Sequence, residues 1–262
     1  MYNVSFPNLN LFFNIDSVAF SIGQVSIYWY GILIAFAVIL GLALAGFRNG
    51  KYGIAYDDVE EFILWALPVG IVCARIYYVA FSWDMYKDDL LSIVKIWNGG
   101  LAIYGGIIGA TITAIVYCHI KKIKLFDLLD YVVPFLALGQ AIGRWGNFFN
   151  REAYGASTNS FFRMELLQKS GEYISVHPTF LYESFGLIII FIVLMALKRK
   201  FSGHVTAMYF FMYGLLRTCI EWLRTDSLMI YNLKVSMVLS VIFVVLSLLF
   251  IIFEMCKQKE SE

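Results

Sequence analysis

Residues 143–155 read GRWGNFFNREAYG, and they lie where a long apolar run gives way to a polar stretch. Arg144 ends that run between two glycines, so little side-chain bulk shields its guanidinium. A guanidinium can give a phosphate two parallel charge-assisted hydrogen bonds, and glycine lets a backbone approach a ligand closely. Further polar side chains follow within two helical turns: Asn147, Asn150 and Glu152. Two interpretations are open, an anion-binding arginine or an arginine that snorkels at a helix end.

The composition is that of a membrane protein. Apolar residues make up 60% of the chain and charged residues 15%, and the mean hydropathy is +0.73. A soluble domain has roughly 25% charged residues. The net charge of +1 gives no reason to expect a nucleic-acid partner. Because no lysine or arginine precedes Arg48, the N-terminus lacks the basic region of a cleavable signal peptide.

Seven apolar stretches are long enough to cross a bilayer, which takes about 20 residues in a helix. They lie at roughly 24–46, 62–83, 100–119, 129–148, 177–197, 204–223 and 235–255. The sequence therefore predicts an all-α polytopic membrane protein with about seven transmembrane helices. We expect one integral-membrane domain over residues 1–262, with a small head formed by the loop at about 149–176.

Basic residues are clustered in alternate loops. The clusters follow the first, third, fifth and seventh spans: Arg48, Lys51, Lys121, Lys122, Lys124, Lys198, Arg199, Lys200, Lys257 and Lys259. The positive-inside rule then places the N-terminus outside and the C-terminus in the cytoplasm. On this topology residues 144–152 and the head lie on the outer face.

Five charged residues lie within the spans or near their ends: Arg75, Arg144, Glu183, Arg217 and Glu221. A charge at mid-bilayer costs about 2.5–3.5 kcal/mol on insertion scales, so such residues normally face a cavity or a partner. The arginines outnumber the acids, which predicts an anionic ligand. For Arg75, a structural pair with an acid on another helix is an equal alternative.

Two spans carry further polar patterns. The third begins WNGGLAIYGGIIGA at residues 97–110, where Gly105 and Gly109 have the spacing that permits close helix packing. The glycines at its start predict unwound backbone, and those around Tyr104 favour an enclosed site over a plain interfacial tyrosine. In the sixth span a polar stripe lies on one helical face, which predicts a seam towards a cavity. The stripe consists of Tyr213, Arg217, Glu221 and Arg224.

Candidate metal ligands are sparse. The four cysteines are widely spaced and three lie in apolar runs, which indicates packing residues and not disulfides or a metal site. His177 could be a base, a phosphate contact or a helix cap, and its isolation favours a cap or a structural hydrogen bond. We expect neither a metal nor a cofactor.

The 143–155 stretch resembles the signature G-R-x-G-N-F-x-N-x-E-x-x-G of the prolipoprotein diacylglyceryl transferases at every fixed position. The resemblance extends over nearly the whole chain, including residues 29–31, 97–106, 177–183 and 213–224. It implies a seven-span protein of the bacterial cytoplasmic membrane with its active site towards the outer face. It also implies transfer of the diacylglyceryl group of phosphatidylglycerol to the lipobox cysteine of a preprolipoprotein signal peptide, giving a thioether and glycerol phosphate.

Carried over residue by residue, the resemblance implies a phosphate site. Arg144 and Arg217 would bind the phosphate and stabilise its charge as it leaves, often the largest catalytic effect. Asn147 and Glu152 would orient Arg144 or the glycerol head group. The remaining matched positions complete the lipid-binding set, the two tyrosines as donors to ester or phosphate oxygens: Tyr30, Tyr213, Gly155 and Glu221.

The chain departs from the family at Tyr104, where many members have histidine. The acceptor thiol has a reference pKa of about 8.5, so a base would help its attack. A neutral tyrosine, with a pKa of about 10, is a poor base at neutral pH. Tyr104 is therefore either a hydrogen-bond donor or a strongly perturbed base, and the donor role is favoured.

A transporter or flippase for an anionic lipid is the alternative from another class, since it would share the arginine-lined cavity and the broken helices. The spans show no obvious inverted repeat, and the motifs cluster towards one face, which argues against it. A retinal protein is disfavoured because the seventh span has no mid-membrane lysine.

Overall fold

The computed structural model describes residues 2–23, 25–168, 170–225, 229–231 and 233–261. Within these ranges seven α-helices occupy the seven predicted spans: α1 (Trp29–Ala45), α2 (Tyr56–Phe81), α3 (Ile103–Lys121), α4 (Leu125–Asn150), α5 (Thr179–Ala196), α6 (His204–Leu223) and α7 (Val235–Ser261). Eight short strands precede or join them: β1 (Val4–Phe6), β2 (Leu11–Phe13), β3 (Val18–Ile22), β4 (Val25–Tyr28), β5 (Met164–Leu167), β6 (Tyr173–Val176), β7 (Met229–Ile230) and β8 (Leu233–Lys234). A helix satisfies its backbone internally, as a bilayer requires.

Six of the helices in the described ranges are long and apolar enough to cross a membrane. The helix outside this set is α6, whose hydropathy is lowered by Arg217, Glu221 and several tyrosines. The chain is therefore a polytopic all-α membrane protein, as the composition predicts. The strands are confined to segments outside the helices.

Two helix starts differ from those expected by five or six residues. Residues 25–28, expected in the first span, form β4 in a hairpin with β3, because β-branched and aromatic residues suit a strand. Helix α2 begins at Tyr56 instead of at about 62. Asp57 and Asp58 lie in its first turn, where acidic side chains stabilise a helix N-terminus.

The chain forms two compact units. The first unit contains Met1–Leu44 and Val133–Glu262, and the second contains Ala45–Val132. The single integral-membrane domain stays a prediction. Nearly all the candidate site residues belong to the first unit, and Tyr104 belongs to the second.

In the first unit, four short antiparallel strands form a sheet in the order β2-β1-β5-β6. The expected head loop supplies β5 and β6, whereas the N-terminus supplies β1 and β2, which the sequence analysis did not predict. Val4 pairs with Leu166 between β1 and β5. The apolar core beneath the sheet includes the end of α4 and the start of α5: Val4, Phe6, Phe148, Met164, Leu166, Val176 and Phe180. The sheet thus holds these two helix ends together, next to the candidate site.

In the second unit, α3 packs closely along α2. A Cβ added at Gly109 would come within 2.8 Å of Cys73 Cβ, and Gly105 faces the same stretch of α2. The predicted close packing at these two glycines is confirmed. Gly99 and Gly100 have φ angles of 84° and 79° just before α3, which confirms the unwound start.

Candidate active site

A buried carboxylate on α5 joins arginines from two other helices. Glu183 is 1% exposed, and its Oε1 accepts a hydrogen bond from Arg144 Nη2 at 2.6 Å. Its Oε2 accepts from Arg217 Nη1 at 3.1 Å. Glu221, one turn along α6, lies 2.8 Å from Arg217 Nη2. Helices α4, α5 and α6 therefore bring together two guanidinium groups and two carboxylates, whose formal charges cancel.

This pairing corrects one step of the sequence argument. We expected arginine charge in excess of the buried acids, but Glu183 and Glu221 balance the two arginines. Buried ions need partners because taking an unpaired charge out of water is very costly. The side chain of Arg144 is still 23% exposed and that of Arg217 is 14% exposed. Each guanidinium carries five N–H donors, so the pair can still donate hydrogen bonds to an anion.

The polar residues after Arg144 form a hydrogen-bonded chain. Arg144 Nη1 donates to Asn147 Oδ1 at 3.4 Å, and Asn147 Nδ2 donates to Glu152 Oε1 at 3.0 Å. Asn150 Nδ2 donates to the same Glu152 oxygen at 3.1 Å. Asn147 is buried, whereas Glu152 is exposed. Three of the predicted site residues are thus connected, and the geometry suits an orienting role of Asn147 and Glu152 towards Arg144.

Tyr30 lies against the turn of α4 that follows Arg144. The structure leaves room for its ring at Gly146, where an added Cβ would come within 2.8 Å of Tyr30 Cε2. One residue earlier, Trp29 stacks on Phe149 with the ring centroids 4.8 Å apart. The start of α1 is therefore fixed on the end of α4, and a glycine at 146 is needed for that contact.

Gly155 joins the ends of two helices instead of lining open space. An added Cβ would lie 2.8 Å from both His177 Cβ and the Leu223 carbonyl oxygen. Its N–H donates to the His177 carbonyl at 2.9 Å, and the next N–H, of Ala156, donates to the Leu223 carbonyl at 2.7 Å. These contacts tie the start of α5 to the end of α6. A lipid contact of Gly155 stays a prediction.

The structure adds site residues that the sequence analysis did not assign. Tyr213, which was assigned, lies beside Arg144. It stacks on Tyr209, which was not assigned, with the centroids 5.7 Å apart and the planes 8° apart. The Tyr209 hydroxyl donates to Gln140 Oε1 at 2.8 Å. The available signals were a glutamine four residues before Arg144 in an apolar run, and a tyrosine four residues before Tyr213. Glu183 was noted as a charge near a span end but not as the group that bridges the arginines.

Among the described residues, Arg75 pairs with main-chain carbonyls and not with an acid on another helix. Its guanidinium donates to four main-chain carbonyls, those of residues 92, 93, 99 and 100, at 2.6–2.8 Å. It also lies over the ring of Tyr86, 5.1 Å from its centroid. Arg75 is therefore a structural residue that organises the loop between α2 and α3.

The described contacts of two further candidates are with residues outside this network. Tyr104, in the first turn of α3, is 45% exposed, and its ring centroid is 6.4 Å from that of Tyr77. The backbone of His177 bonds to residues 155 and 156, in keeping with a structural role. Its Nδ1 is buried, and no hydrogen-bond partner for it is found among the described residues.

Comparison with known proteins points to one family. The sequence model of the prolipoprotein diacylglyceryl transferase family matches residues 17–253. A phosphatidylglycerol–prolipoprotein diacylglyceryl transferase of Finegoldia magna is 48% identical over 233 residues, 88% of this chain and 92% of the relative. Proteins of the same name are 44% identical in Listeria innocua, over 93% of this chain and 91% of the relative, and 41% identical in Streptococcus equi subsp. zooepidemicus, over 94% and 97%. The chain belongs to the prolipoprotein diacylglyceryl transferase family.

Proposed function

We propose that this membrane enzyme transfers the diacylglyceryl group of phosphatidylglycerol to the lipobox cysteine thiol of a preprolipoprotein. The names of the relatives give this donor and this class of acceptor. The observation that carries the proposal is the arginine pair Arg144 and Arg217, held on Glu183 at the polar ends of apolar helices. A lipid phosphate at the membrane boundary has the charge and the depth that such a pair would bind.

The reaction replaces one bond of the lipid. The thiol sulfur attacks C3 of the diacylglyceryl group, the bond from that carbon to the phosphate oxygen breaks, and a thioether forms. The thiol proton is released, and the electron pair of the broken bond leaves with glycerol phosphate. The phosphate changes from a singly charged diester to a monoester with greater negative charge. Donors from Arg144 and Arg217 would stabilise that growing charge more than the ground state, which lowers the barrier.

Glu183 and Asn147 have supporting roles in this proposal. A carboxylate shared by two guanidinium groups fixes their separation before the lipid arrives, so little reorganisation is needed during the reaction. Asn147, held by Glu152, limits the rotation of Arg144. Tyr30 and Tyr213 would donate to oxygens of the lipid beside the arginine pair. Tyr104 would donate to the phosphate or to an ester, and the ionisation of the thiol itself would set the rise of rate with pH.

The test of the proposal is transfer to a lipobox peptide in vesicles that contain phosphatidylglycerol. We expect a gel shift, a mass increase equal to one diacylglyceryl group and release of glycerol phosphate. A peptide with serine in place of the lipobox cysteine is the control and should stay unmodified. If the cysteine peptide also stays unmodified while the lipid moves between leaflets, the transporter alternative is correct.

We further propose that the active site faces the outer side of the bacterial plasma membrane, with the N-terminus outside and the C-terminus in the cytoplasm. The clustered basic loops support this orientation. The sheet supports one part of it, that the N-terminus and the head lie on the same side, because β1 pairs with β5 and four helices separate them. An even number of crossings returns the chain to its starting side. A reporter fused after Glu262 should be active only in the cytoplasm and one near Ser157 only outside, and the reverse pattern would contradict the orientation.

A further inference from the structure

A polar pair lies further into the apolar part of the first unit than the arginine pair, by one helical turn on α4 and about two turns on α6. Gln140 on α4 accepts a hydrogen bond from the hydroxyl of Tyr209 on α6 at 2.8 Å. Tyr209 is 2% exposed and is held by its stacking on Tyr213. Gln140 is half-buried. In the described part of the chain its amide nitrogen donates to no protein acceptor.

We propose that Gln140 Nε2 donates a hydrogen bond to an ester carbonyl oxygen of the donor lipid, and that Tyr209 positions the amide for it. The inference rests on the proposed function, which places the lipid phosphate at Arg144 and Arg217. Because Tyr209 bonds to the amide oxygen, the NH₂ group of Gln140 is left to donate to another acceptor. An amide donor among apolar helices costs free energy unless it finds such an acceptor.

The depth of the pair matches the chemistry of the lipid. Tyr209 precedes Arg217 by eight residues, about 12 Å along α6, whereas Gln140 precedes Arg144 by four residues, about 6 Å along α4. In a diacylglycerophospholipid the ester carbonyls follow the phosphate by the length of the glycerol backbone, which is comparable with that rise. A phosphate held at the arginine layer therefore brings an ester carbonyl to the level of Gln140.

An apolar groove adjoins the polar face of α4. It has a volume of about 250 Å³ and runs between α1, α4 and α5, with Leu33, Ala141 and Ile188 among its lining residues. Ala141 and Trp145 line it one residue after Gln140 and Arg144, so the apolar and polar faces lie side by side along α4. An acyl chain that leaves an ester at Gln140 could enter this groove.

Ether-linked phosphatidylglycerol gives a direct test. It has the same phosphate and the same reacting carbon, but its chains are joined through ether oxygens and it has no ester carbonyls. Since the esters take no part in the bond changes, the ether lipid remains a chemically competent donor. The transfer efficiency, kcat/KM for the lipid, is measured in wild type and Gln140→Leu with diacyl and with dialkyl-ether phosphatidylglycerol, using one lipobox peptide.

We expect wild type to use the ester lipid about fivefold better than the ether lipid, as for the loss of one hydrogen bond. Gln140→Leu should lose about fivefold with the ester lipid, change little with the ether lipid, and so remove the discrimination. Tyr209→Phe should weaken the discrimination, because the amide is then free to rotate. Thr218→Val is the matched control: it removes a hydroxyl of α6 that bonds to its own helix, and it should keep the discrimination.

Three outcomes would overturn the inference. Equal losses with both lipids in Gln140→Leu would show a structural role. A raised KM for the peptide alone would show that the acceptor backbone, not the lipid, is the partner of Gln140. Equal use of both lipids by wild type would show that no ester contact exists.

Failure of the proposed function has a different signature, because wild type then transfers neither lipid. In that case the Gln140–Tyr209 pair is tested by the increase in the protein's thermal midpoint that each lipid produces. A greater stabilisation by ester than by ether lipid that is lost in Gln140→Leu would support the carbonyl contact. Equal stabilisation by the two lipids would refute it.

Discussion

The arginines of the two units are paired with different kinds of hydrogen-bond acceptor. Arg75 is 6% exposed, and four backbone carbonyls accept its hydrogen bonds. Arg144 and Arg217 are held by the carboxylates of Glu183 and Glu221 and remain partly exposed. Carbonyls from a loop fix a loop, whereas a carboxylate shared by two arginines positions two charged groups and leaves donors for a ligand. A buried arginine can therefore bind a ligand only if its protein partners leave some of its N–H donors unoccupied.

The largest effect that separates these arginines should come from Arg144→Ala. Loss of one charge-stabilising donor group costs about 10²–10³ in kcat, and Arg144→Lys, which keeps the charge without the fork, should fall on the order of tenfold to a hundredfold. Both variants should still insert in the membrane. Transfer rates on purified protein with matched expression levels test this. Wild-type turnover of Arg144→Ala would mean that the residue only anchors a helix end.

Arg75→Leu should act on stability and not on chemistry. Removing the guanidinium leaves four carbonyls without their donor, and at about 1–3 kcal/mol for each buried unsatisfied group we expect the free energy of unfolding to fall by about 4 kcal/mol or more. The thermal midpoint of the purified protein should fall, while kcat of the folded fraction stays within about twofold, below the effect of one lost hydrogen bond. A large loss of kcat at an unchanged midpoint would erase the distinction between the two kinds of arginine.

Two glycines, one on each side of Arg144, allow a comparison in which the expected loss of activity is smaller. Alanine at Gly146 would clash with the Tyr30 ring, and overpacking of this kind costs about 1–3 kcal/mol. We expect Gly146→Ala to lower activity about tenfold, in keeping with that cost, because Tyr30 must move from the site. Gly143→Ala is the matched control, since an added Cβ there meets nothing within 4 Å. Equal effects in the two variants would show that contact with Tyr30 is not what matters.

The smallest expected effect tests whether the second unit contributes to the chemistry. Tyr104→Phe should lose about fivefold, the worth of one hydrogen bond of about 1 kcal/mol, with an unchanged shape of the pH–rate profile. The rate should rise towards the thiol pKa of about 8.5, because only the thiolate attacks. Tyr104→His should stay active, since histidine also donates. An inactive Tyr104→Phe, with a wild-type acidic limb well below the thiol pKa, would make Tyr104 the base.

Local spacing predicted part of the site. Arg144 and Asn147 are three residues apart on α4, and Arg217 and Glu221 are four apart on α6, so these contacts follow from helical geometry. Glu152 lies beyond the end of α4, after Arg151 with a φ angle of 54°, so its contact with Asn147 depends on the turn that follows the helix. The bridge by Glu183 joins three helices, and no spacing within one helix specifies which arginine a third helix will meet. The same limit applies to Gln140, whose partner Tyr209 is 69 residues away.

The helices could be predicted from the sequence, whereas the sheet could not, and the physical reasons differ. Runs of about 20 apolar residues have few alternatives in a bilayer. Strands of three or four residues carry little pattern of their own, and Val4 gives no sign that it pairs with Leu166. Arg75 shows a related limit, because its acceptors are main-chain carbonyls, which every sequence contains.

The sheet also determines when its strands can pair during synthesis of the chain. Ser5 on β1 and Glu165 on β5 are 160 residues apart in the chain yet lie side by side. At about 5–20 residues per second, the ribosome needs roughly 10–30 s to make that interval. Throughout that time the first hairpin is already outside the ribosome without its partner strands, while four helices are being inserted. The N-terminal strands are therefore exposed to proteases and to wrong pairing for longer than most other parts of the chain during synthesis.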